Sequence, residues 1–419
     1  MTSQGGLWQK LFEYLGADGL RVLDRDLLRL LSFLTRRQAW MSPPEISRTF
    51  RPDGRGVSER TLYRWFSILE EQLGLAYFPY PRMNLLGLAD VHVRLKGVRS
   101  PAVMAAIPWG RSSWVEIGLD GRPFLSEDYW IPGPALKSFR EYWSAAKDLG
   151  LVSEVELLAV RNPHFFFSPF HEVVDEEGWV EIPGEMDNSY FVDLFRRHME
   201  EPYAIRVGDW VKASPLVVPL VLEHLWRHCS SRQVWHAIRA KGDAHILRHA
   251  KGSLAKALLK KGHALQVLQR QWDDLVRHFN EVFLQPVVLL PLGLLRNSLI
   301  VTFTLRPESD EATVELARRV SGRSVVTAVM PEDGPEGRCR MWCNPPSEHV
   351  PAILRLIGDH HRGAKPPFVG IVDLNATRKA TQPSFLGFDW QTFDAETFTW
   401  GFRGEAYIES LKGLKPDQR

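Results

Sequence analysis

Leucines recur along DRDLLRLLSFLTRRQ (24–38), with Leu27, Leu28, Leu31, Phe33 and Leu34 on roughly one side. That spacing predicts an amphipathic helix with Asp24 or Asp26 placed to cap it. In MSPPEISRTF (41–50), Ser42 stands at an N-cap position and Pro43 at the first helical position, where its missing N–H costs nothing. A polar loop, RPDGRG (51–56), separates this second helix from VSERTLYRWFSILEE (57–71), which opens on Ser58 and stops near Gly74. Three short helices within about fifty residues, the third basic and amphipathic, form a helix-turn-helix pattern.

Beyond Gly74 the period changes to two. VHVRLKGV (91–98) sets Val91, Val93 and Leu95 on one face and His92, Arg94 and Lys96 on the other. SSWVEIGL (112–119), RPFLSEDYWI (122–131) and LVSEVELLAV (151–160) read as further strands, with helices near 100–107 and at PALKSFREYWSAAKDLG (134–150). Strand, helix, two strands, helix, strand is the βαββαβ order of a ferredoxin-like fold.

The second half repeats the first. Residues 57–88 align without a gap on 263–294: Leu62 meets Leu268, Arg64 meets Arg270, Tyr77 meets Phe283, and Leu86-Gly87-Leu88 meets Leu292-Gly293-Leu294. Further on, Gly110-Arg111-Ser112 matches Gly322-Arg323-Ser324, and Trp130 and Trp342 each follow their glycine by twenty residues. A helix (347–361) and a strand (368–374) complete the second copy. Both copies end in aromatic tails, 165–179 and 385–400. The expected fold class is α+β, two tandem units that each join a helix-turn-helix, winged-helix-like domain to a ferredoxin-like βαββαβ domain. The expected boundaries are 1–78 for the first helical domain, 79–183 for the first ferredoxin-like domain with its tail, 184–285 for an enlarged second helical domain and 286–419 for the second ferredoxin-like domain with its tail.

A helix-turn-helix leading through an LGL turn into a βαββαβ module resembles the Lrp/AsnC (leucine-responsive) transcriptional regulators. The residues that carry the resemblance are Ser58 to Leu69, the connector FPYPRMNLLGL and the strand VHVRLKG. This chain looks like two such units fused. The resemblance implies DNA binding through the helices, dimerisation through the sheets and a small effector bound between units.

The charges are consistent with that expectation only by position, because the net charge is +2. In the third helix Leu62, Trp65, Phe66 and Leu69 pack inward, leaving Arg60, Thr61, Tyr63, Arg64 and Ser67 to face a major groove behind the cap Ser58. Ser42, Arg48, Arg51 and Arg55 are placed for phosphates. From Trp226 to His278 stand eleven Lys/Arg and six His against three Asp; Lys256, Lys260, Lys261, Gln266, Gln269 and Arg270 are the DNA-contact candidates there. Arg111 and Arg323 are candidates for an effector carboxylate. Solvated helix faces and neighbouring acids are the plainer readings of the same residues.

The 44% hydrophobic and 24% charged composition is that of a soluble globular chain. Three cysteines make no disulfide framework and suit a reducing cytoplasm. Apolar runs such as VVLLPLGLL (287–295) fall short of the roughly 18–20 residues of a membrane span. Cys339 and Cys343 lack a second pair at metal spacing, and no P-loop, GxGxxG, GxSxG or HExxH is present. The sequence therefore predicts a cytoplasmic DNA-binding regulator and homodimer, with double-stranded DNA as partner, without metal or cofactor and not an enzyme. The alternatives are an effector-sensing or architectural protein with a degenerate second helical unit, and an enzyme using the cleft between the domains.

Overall fold

The computed structural model describes residues 25–37, 43–69, 76–167, 174–175, 178–179, 189–213, 266–267, 270, 283–289, 299–373, 376–377 and 392–414. Helices α1 (Arg25–Arg37), α2 (Pro43–Thr49) and α3 (Glu59–Ser67) form the N-terminal three-helix set. Leu27, Leu31, Ile46, Leu62, Trp65 and Phe66 are buried, as their spacing predicts. Ser58 caps α3, its hydroxyl accepting from the Thr61 amide at 3.2 Å. Ser58→Ala is therefore expected to cost about 1 kcal/mol, read as a lowered denaturation midpoint; an unchanged midpoint would show that the cap contributes nothing.

Strands follow as β1 (Ala76–Pro81), β2 (Leu88–Lys96), β3 (Gly110–Gly118), β4 (Pro123–Pro132), β5 (Glu154–Val160) and β6 (His164–Phe167), then a short hairpin, β7 (Val174–Asp175) and β8 (Gly178–Trp179). The second half supplies β9 (Phe283–Leu289), β10 (Val301–Leu305), β11 (Val326–Pro331), β12 (Cys339–Cys343), β13 (Phe368–Val372) and a last hairpin, β14 (Phe393–Asp394) and β15 (Thr399–Trp400). Helices α4 (Ala102–Ala105) and α5 (Leu136–Asp148) belong to the first unit, α6 (Ser189–Glu200) and α7 (Asp209–Ala213) to its continuation, and α8 (Asp310–Ser321), α9 (Val350–His360) and α10 (Gly404–Lys412) to the second half.

One sheet runs β5-β2-β4-β3-β13-β10-β12-β11-β6. Its first four strands and its next four each have the ferredoxin-like order, fourth-first-third-second, so the fold is α+β with tandem units. The units meet where β3 pairs with β13, Ile117 opposite Ile371. At the far end β11 pairs with β6, and a bridge between Val160 and Glu332 ties β11 to the end of β5. Because β5 and β6 are consecutive along the chain, the sheet closes on itself, and its two four-stranded halves enclose a common interior. The chain pairs its own sheet edges, β3 with β13 and β11 with β5 and β6, because the duplication places both units in one polypeptide.

The repeat is visible in the register. Pro79 of β1 pairs with Pro286 of β9, and Tyr80 with Gln285. Exchanging each residue for its counterpart in the other copy converts the first pair into the second, as a local two-fold requires. In the sheet, His92 lies opposite Asp128, and their counterparts Thr304 and Arg340 lie opposite each other. The LGL connector turns at Gly87, whose φ of 75° favours glycine. Trp400 donates to the Leu86 carbonyl there at 2.8 Å. The chain after β15 thus docks on the first unit, where Trp109 also bonds Tyr407, while α6 packs Phe195 against Phe166 beside the second unit. No helix among the described residues is long and apolar enough to cross a membrane.

Candidate active site

Alternation along each strand divides the side chains between two layers. Val91, Val93, Leu95 and Tyr129 face the helices, and Tyr129 packs on Phe139 of α5. The opposite face points into the interior and carries Asp90, His92 and Arg94 on β2, Trp114 and Glu116 on β3, Ser126 and Asp128 on β4, Thr304 on β10 and Arg340 and Trp342 on β12. A polar face enclosed between two sheets is unusual, because each unpaired buried charge costs several kcal/mol.

These charges are paired, and across the units. Arg340 Nη1 donates to Asp128 Oδ1 at 3.1 Å. His92 Nδ1 lies 3.1 Å from the same oxygen. Since a carboxylate only accepts, the proton of neutral His92 sits on Nδ1 and leaves Nε2 as a bare acceptor. Arg94 donates from Nε to Glu116 at 3.1 Å, from Nη2 to the Thr304 hydroxyl at 3.2 Å and from Nη1 to Glu156. Its guanidinium also lies over the Phe368 ring, 3.3 Å from the centroid. Trp114 Nε1 donates to Glu116 at 2.6 Å.

Burial, and after it the nearby Arg340 cation, push the His92 imidazole down to about 4, against the pull of Asp128. It is therefore neutral at physiological pH. Burial pushes the Glu116 carboxyl up, but Arg94, Arg340 and the Trp114 N–H among the neighbouring groups together outweigh it and the group stays below its ordinary value, as a carboxylate. Three polar atoms on this face, His92 Nε2, Ser126 Oγ and Arg340 Nε, are buried and have no hydrogen-bond partner among the described residues. His92 is an acceptor, Arg340 a donor and Ser126 either, and the strand register puts all three around Asp128. Trp114 and Trp342 are only half buried and form the aromatic margin of the cluster.

The residues expected from the sequence lie elsewhere. Arg60, Tyr63 and Arg64 are exposed on α3, Thr61 and Ser67 are half buried, and Ser58 is taken up by the cap. Arg48 and Arg55 are exposed, while Arg51 turns back onto the carbonyls of Ser47 and Phe50 rather than outward. Gln266 and Arg270 are exposed; Ser42, Lys256, Lys260, Lys261 and Gln269 lie outside the described residues. Arg111 falls at the register shift of β3, and Arg323 donates to the Arg319 carbonyl at 2.9 Å, away from the buried cluster. Cys339 and Cys343 are buried and their thiols are pushed up by burial, so neither is a ready nucleophile. Among the described residues no group of three or more His, Cys, Asp or Glu could hold a metal.

The residues of the cluster escape a motif search because they come from β2, β3, β4 and β12. Two local signals existed. His92 and Arg94 alternate with valines in a strand, and Arg340 stands alone in CRMWC, an otherwise buried strand type.

No family model matches this sequence, and no curated protein matches it. Solved structures similar to it include the crystal structure of the siroheme decarboxylase NirDL, at 12% identity over 93% of this chain and 99% of that one, with a TM-score of 0.39. The same protein with an iron-uroporphyrin III analogue gives 9% identity over 75% and 81%, with a TM-score of 0.34. An anthrone oxidase-like protein gives 8% over 68% and 90%, with a TM-score of 0.26. Their names are those of enzymes, not of DNA-binding regulators. The expectations of a DNA-binding transcription regulator, of a chain that is not an enzyme, and of double-stranded DNA as its partner are corrected on where the structure gathers its buried charged groups. The convergent, desolvated charges are in the sheet interior, whereas Arg48 of α2 and Arg60 and Arg64 of α3 are exposed and Arg51 in the loop between them bonds backbone carbonyls. What remains of the Lrp/AsnC resemblance is the fold.

Proposed function

We propose that the chain is an acid–base enzyme whose site is the sheet interior between its two units. The carrying observation is the set of orphaned buried atoms, His92 Nε2, Ser126 Oγ and Arg340 Nε, arranged around Asp128. Such groups cost about 1–3 kcal/mol each when left unmade, and donors and acceptors of opposite sense side by side suit a carboxylate or carbonyl group. Arg340 and Ser126 would hold its oxygen, and His92 Nε2 would exchange the proton, with Asp128 stabilising the imidazolium that forms. In the abstracting direction the proton passes to Nε2 and its bonding electrons stay on the substrate as an enolate-like anion facing Arg340. Decarboxylation, the reaction for which the siroheme decarboxylase NirDL is named, belongs to the same class. There His92 takes the proton of the substrate's carboxylic acid, the electrons of the broken carbon–carbon bond stay on carbon, carbon dioxide leaves, and the protonated His92 returns that proton to the carbon. The division of the chain at 78, 183 and 285 is part of this proposal, with the two sheet domains sharing one site.

The test is an assay of siroheme and iron-uroporphyrin-type compounds, together with simple carboxylic acids, on the full chain and on His92→Asn. Wild type should convert at least one compound, and His92→Asn should lose about 10²–10⁴-fold in kcat. Conversion unaffected by His92→Asn, or no compound that perturbs the His92 resonances in wild type, would overturn the proposal.

A further inference from the structure

Trp114 touches three members of the cluster, His92, Arg340 and Glu116. Its ring is stacked on His92, with centroids 5.6 Å apart and planes at 18°. The Arg340 guanidinium lies 5.1 Å from its centroid. Its N–H holds Glu116, and Glu116 holds Arg94. Trp114 on β3 reaches His92 on β2 across Ser126 on β4, since Trp114 and Ser126 are paired in register. A side chain serving only to fill the interior would not need both the stack and the bonded N–H, nor would it remain half exposed.

We infer that Trp114 is a positioning residue, seating the His92 imidazole and the Arg340 guanidinium against one indole so that base and cation keep a fixed separation. The inference rests on the reading of His92 as the proton-exchanging group, but its consequence is measurable without any substrate. A guanidinium held over the indole by cation–π attraction stays close to His92 and disfavours a second positive charge there. The groups facing His92 are Asp128 on β4, Arg340 on β12, Arg94 on β2 and Glu116 on β3. Of these, Arg340 contacts Trp114 directly, and Arg94 is linked to it through Glu116.

The experiment follows the imidazole resonances of the full chain labelled at histidine, with His92→Asn to identify the His92 signal. In wild type His92 should remain neutral down to pH 5. Trp114→Phe keeps the ring and should leave the midpoint unchanged. Trp114→Leu removes the seat of both partners and should raise the midpoint by about one pH unit or more, so that at pH 5 half or more of His92 is protonated. Should Trp114→Leu not fold, Trp114→Met, longer and more adaptable, takes its place. A folded aliphatic variant with the wild-type midpoint would reduce Trp114 to filler and overturn the inference. A Phe variant shifted as far as the aliphatic one would overturn it too, by moving the effect from the ring to the Glu116 hydrogen bond. If instead these titrations come out as expected while His92→Asn leaves turnover intact, Trp114 positions His92 but the proposed enzymatic role of His92 fails.

Discussion

Arg340→Met is expected to destabilise the protein by about 3–5 kcal/mol at pH 8, the cost of stripping a buried charge of its partner. Asp128, 7% exposed in its side chain, would lose the Arg340 cation, and His92 beside it is neutral at that pH. Acid should repair part of the loss. Without Arg340 one of the influences holding the His92 imidazole down is gone, so its midpoint rises and a proton taken up there supplies Asp128 with a new counter-charge. The deficit relative to wild type should therefore shrink between pH 8 and pH 5.5. Adding Asp128→Asn should recover much of it at pH 8, because the stranded charge is then removed as well. Denaturant titrations of the three variants at both pH values measure this. A loss below about 1 kcal/mol at pH 8 would mean that water reaches the pair and that the cluster is not desolvated.

The same pair shows how far the sequence could be read. Asp128 and Arg340 are counterparts in the repeat, and the repeat was legible from Trp130 and Trp342, two residues beyond each of them. Period-two alternation placed β2, and the βαββαβ order read along the first unit was carried to the second by the repeat. It also set His92 and Arg94 apart from the valines, though nothing local distinguishes a polar face toward solvent from one toward a second sheet. That distinction depends on the closure of the sheet, through pairs such as Ile117 with Ile371 and Val160 with Glu332, which are far apart in sequence. The placement of charges misled for a related reason. Arginines on α3 and in the loop before it look like a nucleic-acid footprint, whereas a balanced buried cluster leaves no trace in net charge. The two copies have also diverged where it matters: the counterpart of His92 is Thr304, and the counterpart of Glu116 is Ala328. A reading that seeks the same chemistry in both halves passes over a site assembled from unlike contributions.

On the other face of β4, between Ser126 and Asp128, Glu127 is buried against the helix layer and accepts from the Tyr129 hydroxyl at 2.5 Å. Burial, with Asp128 adding to it, pushes its carboxyl up to about 8 from an ordinary value of 4.5. The folded state therefore keeps a proton that the unfolded chain loses, so this group's contribution to stability is complete below about pH 4.5 and drains away as pH rises to 8. Across that window the loss is on the order of 4–5 kcal/mol, at 1.36 kcal/mol per pH unit of difference. Glu127→Gln should flatten this slope, since a neutral amide carbonyl can accept the same Tyr129 bond at every pH. Its absolute stability at pH 5 should fall, because a second amide proton needs a partner in an apolar layer. Its stability relative to wild type should nevertheless improve steadily toward pH 9. Parallel stability profiles for the two proteins from pH 5 to pH 9 would instead show that Glu127 ionises normally and that water enters the layer beneath α5. Because Ser126 and Asp128 flank Glu127 on the same strand, wild type should also lose order in the site over the pH range in which it loses stability, and Glu127→Gln should not. The His92 signal then reports on both faces of one strand: it should broaden in wild type above pH 8 and stay sharp in the variant.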